Sequence, residues 1–112
     1  MSRQAHSSST ANTPADARDG QAIRAQLESH LAERILVFDG AMGTMMQQAG
    51  LTEADYRGEA YRDHGCDLKG NHDVLSITRP DVLARVHDEF LEAGCDILET
   101  NTFSATSIGQ TD

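Results

Sequence analysis

The stretch "RILVFDGAMGTMMQ", Arg34 to Gln47, decides how this chain is read. An apolar run, Ile35 to Phe38, stops on a carboxylate, Asp39, and passes at once into a turn built on Gly40 and Gly43. Arg34–Asp39 reads as a strand, and its unbroken apolar character implies cover on both faces, as in a parallel sheet. Asp39 has two readings. It is a strand-end carboxylate bonded to the amides of the next turn, or it accepts from a ligand ammonium or hydroxyl. A charge-assisted bond of the second kind contributes about 1.5–3 kcal/mol in a desolvated site.

The turn carries the next signal. Gly40 and Gly43 allow backbone amides to approach a ligand closely, and successive N–H groups form an anion-binding concavity. An amino acid carries both an ammonium and a carboxylate, so an Asp beside such a nest suits both ends. The turn is not a P-loop, because no Gly-Lys-Ser/Thr follows.

Upstream, Ile23, Leu27 and Leu31 recur every four residues, which predicts a short amphipathic helix over Gln21–Glu33. Residues 1 to about 19, rich in Ser, Thr, Ala and Gln, read as a disordered tail. Downstream, Met42, Met45 and Met46 suggest a short helix after Gly43, and Thr52 with Asp55 forms a capping box. "DHGCDLKGNHD" is a turn-rich loop holding Gly65, Gly70, Asn71 and Asp73. A well-marked helix follows, with Thr78 as its cap and Pro80 in its first turn. Its stripe is Val82, Val86 and Phe90, with Leu83 and Leu91 alongside, and Gly94 is the stop. "DILE", Asp96–Glu99, is a second strand, and the polar segment after it reads as a loop passing into a helix.

Strand, helix, strand is one βαβ unit with a right-handed crossover. Asp39 and Glu99 each terminate a strand, so they share the rim where α/β folds bind ligands. Glu99, Thr100, Asn101 and Thr102 crowd polar groups there, either as an ordinary polar loop or as a wall facing Asp39 across strands about 4.8 Å apart. Two short parallel strands do not make a stable sheet, so the order reads as the first part of something longer, truncated here.

Composition narrows the class. The 112 residues are 38% hydrophobic and 24% charged, ordinary for a globular domain. Aromatics are scarce at 4%, so a large core is not obvious. A net charge of -9 argues against nucleic acid or an anionic membrane surface as partner. No apolar run reaches the roughly 18 residues of a membrane span, and the N-terminus lacks the apolar core of a targeting peptide. Two cysteines, Cys66 and Cys95, without a dense spacing fit a reduced cytoplasmic setting. His64, Cys66 and His72 match no compact zinc spacing, and Cys95, before the second strand, reads as a buried structural thiol.

Three segments together resemble a known family: "RILVFDGAMGTMMQ", "LTEADYRGE" and "CDLKGNHDVLSITRPDVLARVHDEFLEAGCDILETNTFSATSI". They are similar, over about residues 21–112, to the homocysteine-binding module that opens the cobalamin-dependent methionine synthases. DGAMGT and ETNTF are shared with the wider homocysteine S-methyltransferase family. The resemblance implies a (β/α)8 TIM barrel, of which residues 20–112 are the incomplete first βαβ part. It implies homocysteine as substrate, its thiolate held by zinc and methylated from methylcobalamin and ultimately methyltetrahydrofolate, with downstream domains for folate and cobalamin. Asp39 matches the residue contacting the homocysteine amino group. Gly40, Ala41, Met42, Gly43 and Thr44 match the loop at its carboxylate, and Glu99, Asn101 and Thr102 match the second strand end. The family's zinc ligands are three later cysteines, so Cys66 and Cys95 match no ligand position. The expectation for this chain is homocysteine binding with no bound cofactor, no catalytic residue and no turnover. The alternatives are a non-catalytic amino-acid or thiol binding module, or an inactive truncated product.

Overall fold

A computed structural model describes residues 20–111, so the expected tail over residues 1–19 lies outside the described residues. The described residues divide into two units, one ending at Ile35 and one beginning at Leu36.

In the first unit, α1 spans Gly20–Glu33, the expected helix with one extra residue. An exposed Arg24–Glu28 ion pair at 2.8 Å links successive turns. Its apolar stripe is not buried: Ile23, Leu27 and Leu31 are 48%, 41% and 54% exposed.

The second unit is built from α2 (Met42–Gln48), α3 (Glu53–Arg57), a 3₁₀ turn (His72–Val74), α4 (Leu75–Thr78) and α5 (Pro80–Glu92). Their inward side chains make one core: Met46, Leu51, Tyr56, Val74, Leu75, Val82 and Val86. Phe90 and Leu83 pack partly against it, whereas Leu91 of the expected stripe faces out. Tyr56 is the aromatic in this core, which is otherwise filled by Met, Leu and Val.

Local chemistry sets most boundaries. The capping box is complete: the Asp55 amide donates to Thr52 Oγ1 at 3.3 Å, and the Thr52 amide to Asp55 Oδ2 at 2.8 Å. α5 begins with Pro80 at its first position. It ends in a Schellman motif: Gly94, at φ 99°, donates to Leu91 O at 3.0 Å, and Cys95 donates to Phe90 O at 3.1 Å. Thr78 is not the cap of α5. Residues 75–78 are already helical, and the Thr78 hydroxyl donates back to Val74 O at 3.3 Å.

The strands are where the structure departs furthest from expectation. Among the described residues a single parallel bridge, Phe38 to Ile97, replaces the strands read over Arg34–Asp39 and Asp96–Glu99. Ile97 donates to Val37 O at 3.2 Å, and Asp39 donates to Ile97 O at 2.9 Å. The next ladder bond on each side is taken by a side chain. The Val37 amide donates to Asp96 Oδ2 at 3.0 Å, and the Glu99 amide donates to both Asp39 carboxylate oxygens at 3.1 Å. Two carboxylates thus clasp the bridge and end the ladder. Nor are both faces covered: Val37 and Phe38 are 53% and 58% exposed. The segment after Glu99 is turns, not the start of a helix.

The loop between α3 and the 3₁₀ turn is ordered from beneath by an ion pair. Arg57 Nε donates to Glu53 at 2.8 Å, and its other nitrogens reach His64 O at 2.6 Å and Cys66 O at 2.9 Å. Glu53 in turn accepts the Leu68 and Lys69 amides, both at 2.6 Å. Backbone groups that have no helix or sheet partner find these long side chains instead.

Candidate functional site

The parallel bridge aims both segments the same way, and the turn after each opens onto one cavity of about 640 Å³. Small-molecule sites range from roughly 300 to 1,000 Å³. One wall is Asp39, Gly40, Ala41, Met42 and Gly43; another is Glu99, Thr100, Asn101, Thr102, Phe103 and Ser104. Of the residues expected from sequence, Thr44 alone is not part of the lining and lies exposed on α2.

Asp39 is buried, at 8% exposed, although its neighbours on the bridge are open. Among the described residues its carboxylate bonds neither to the following turn nor to a positive side chain. It accepts the Glu99 amide, so it fixes the opposite wall. A carboxylate has about four acceptor positions, and one shared N–H leaves capacity for a second donor.

Beside it, the amides of Gly40 through Thr44 have no hydrogen-bond partner among the described residues. The first helical amides of any helix lack one; here the run extends back to the bridge. The conformational demand falls on an unexpected residue. Ala41 has φ 47° and ψ 30°, the left-handed region, while Gly40 and Gly43 do not have positive φ. A Cβ on Gly40 would meet nothing within 4 Å, so that glycine leaves open space at the wall. An alanine held in this conformation stores about 1 kcal/mol of strain, a feature that clusters at binding sites.

The opposite wall is held by its own polar groups. Asn101 Nδ2 donates to His72 O at 2.7 Å, and Ser76 Oγ donates to Asn101 O at 3.1 Å. The Asn101 Nδ2 is therefore committed to structure. Thr100 and Thr102 share a hydroxyl bond at 2.7 Å. Glu99, exposed, has no side-chain partner among the described residues; its carbonyl accepts from His87 Nε2 at 3.1 Å.

A third wall, Gly70, Asn71, His72 and Asp73, was not expected as site. Asp73 accepts the Ser104 amide at 2.9 Å, which ties this loop to the second wall, and Asn71 donates at 2.6 Å to Gln110, which also lines the cavity. Its signal in the sequence is the polar run after Gly70, which reads as a turn and carries nothing to say that it faces a ligand.

Among the described residues no three of His, Cys, Asp and Glu come together as metal ligands. Cys66 is exposed, and Cys95 is half-buried, its thiol pushed up first by burial and then by Asp39 and Asp96. A catalytic zinc needs about three protein ligands. These residues do not fit the zinc that the resemblance implies. No helix among them is long and apolar enough to cross a membrane.

Parallel segments whose C-terminal turns enclose a polar cavity follow the ligand-binding plan of α/β folds. The comparison with known families agrees with that class. The homocysteine S-methyltransferase family model matches residues 36–112, the second compact unit. The chain belongs to the homocysteine S-methyltransferase family. That family is built on the TIM barrel, but the described residues form no barrel.

Proposed function

We propose that this chain is the homocysteine-binding part of a cobalamin-dependent methionine synthase acting in the cytoplasm. Residues 20–112 would then be the first part of its (β/α)8 barrel. In that enzyme the methyl group comes from methylcobalamin, ultimately from methyltetrahydrofolate, and goes to a zinc-bound homocysteine thiolate; the zinc ligands and the folate and cobalamin domains lie outside the described residues.

The observation that carries the reading is the pairing of a buried carboxylate with unpaired amides in one cavity. Asp39 suits a substrate ammonium, and the Gly40–Thr44 amides suit a carboxylate. Glu99, Asn101 and Thr102 complete the opposite wall. Exposed Val37 and Phe38 support the barrel part of the reading, because further parallel strands would cover them.

The test is calorimetric and thermal titration of the chain with L-homocysteine. Binding raises the unfolding midpoint, by a free energy of about 2.7 kcal/mol when ligand is 100 times Kd. Absence of both heat and shift rejects the assignment. Methionine formation by the isolated chain with methylcobalamin is expected to be absent, and its detection would overturn the separation of binding from turnover.

A further inference from the structure

His72 sits in the third wall, which the homocysteine reading leaves without a role. Its Nδ1 lies 3.0 Å from the hydroxyl of Tyr56, a core residue 3% exposed. Burial pushes the Tyr56 phenol up, so it stays protonated at neutral pH. A phenol O–H is a stronger donor than an imidazole N–H, and an imidazole nitrogen a stronger acceptor than a phenol oxygen, so the O–H gives to the ring. Nδ1 is then the acceptor, and the ring proton resides on Nε2. Nε2 has no partner among the described residues. Its ring neighbour Cδ2 stands 3.9 Å from where a Cβ on Gly43 would be, which sets the ring against the first wall of the cavity.

We propose that His72 is a substrate-binding residue, its Nε2–H donating to the carboxylate of the bound amino acid, and that Tyr56 is the positioning residue that fixes this tautomer. The proposal rests on the homocysteine reading and deepens it. An ammonium would be repelled by an N–H donor, whereas a carboxylate extends the donor set that Gly40–Thr44 begin. Asp39 takes the opposite end of the ligand.

The experiment compares L-homocysteine with 3-amino-1-propanethiol, the same molecule without its carboxylate. His72→Phe is expected to weaken homocysteine binding about tenfold and to leave 3-amino-1-propanethiol binding unchanged. Nitrogen-15 NMR of the imidazole in the unaltered chain reads the tautomer directly and does not depend on that variant folding. It is expected to show Nε2–H, with a mixture of tautomers in Tyr56→Phe and an Nε2 shift on adding homocysteine. Homocysteine bound to a chain whose His72 carries its proton on Nδ1, or an equal loss for both thiols, overturns this assignment alone. No homocysteine binding by the unaltered chain overturns the homocysteine reading, and this one with it.

Discussion

Asp39 is asked to do two things, and two substitutions separate them. Asp39→Ala removes the acceptor of the Glu99 amide, a bond made to both carboxylate oxygens at 3.1 Å by a side chain only 8% exposed. Hydrogen bonds to charged groups contribute about 1.5–3 kcal/mol, so the alanine variant should lose about 2 kcal/mol. Asp39→Asn keeps a carbonyl oxygen where Glu99 donates and should lose less than about 1 kcal/mol. For the ligand the order reverses in meaning. Asn has no charge for an ammonium, so homocysteine affinity should fall about tenfold or more in the asparagine variant despite its near-native stability. Urea unfolding gives the first quantity, and calorimetric titration of the folded variant gives the second. If Asp39→Asn binds homocysteine as well as the parent, the carboxylate is a structural clasp and nothing more. If Asp39→Ala unfolds at the parental urea concentration, the clasp itself is wrong.

Three further outcomes follow from named backbone and charge features. Ala41→Gly relieves a left-handed alanine at φ 47°; after the added flexibility of glycine is subtracted, it should stabilise by about 0.5 kcal/mol in urea unfolding. Gly58→Ala should cost about 2 kcal/mol or more, because Gly58 has φ 51° and its Cβ would stand 3.2 Å from Thr78 Cβ. Acid should destabilise the chain. Glu53 is held below its usual 4.5, first by the Leu68 amide, and Asp81 is held from 3.8 down to about 2, first by its bond from Arg79. Both folded values lie below the unfolded ones, so this stabilisation is complete above the unfolded values and fades as pH falls through the folded ones. The urea midpoint should drop between about pH 4.5 and 2, less steeply in Glu53→Gln and in high salt, since Asp81 is exposed and Glu53 only half-buried, so salt screens both.

Features set by neighbours in the sequence were legible there. The Thr52–Asp55 box, Pro80 at a helix start and Gly94 past a helix end each act within one turn, so residue type and spacing suffice. The partnership of the two apolar runs was legible as well, since Phe38 and Ile97 do form a parallel bridge. Its extent was not. Whether an amide meets a backbone carbonyl or a carboxylate from a residue some 60 positions away is settled by tertiary placement; Glu99 to Asp39 is such a case. Thr78 misleads for a related reason: a helix cap and a residue bonded back one turn share the same side chain, and α4 decides between them. His72 was visible only as part of an unconvincing metal cluster, because Tyr56, its partner, lies on another element.

The clasp also explains how an underbuilt sheet can still shape a cavity. A longer ladder would place Glu99 by backbone bonds alone and leave the Asp39 side chain free. Here one carboxylate both ends the ladder and fixes the backbone at Glu99, from which Thr100–Thr102 continue. Asn101 then ties that segment to the His72 carbonyl, and Asp73 ties Ser104 to the same loop. Three walls are thereby joined by bonds directed at backbone groups. Under the proposed reading, the uncommitted donors toward the cavity are the amides of Gly40–Gly43 and the His72 Nε2–H, and the acceptors are the spare lone pairs of Asp39 and the Glu99 carboxylate. Donors and acceptors segregated in this way match a zwitterion. A neutral thiol or a simple anion would leave one of the two sets unpaired, at a cost of about 1–3 kcal/mol for each desolvated group. Under the proposed function, selectivity for an amino acid over its decarboxylated or deaminated analogues would therefore reside in the walls themselves.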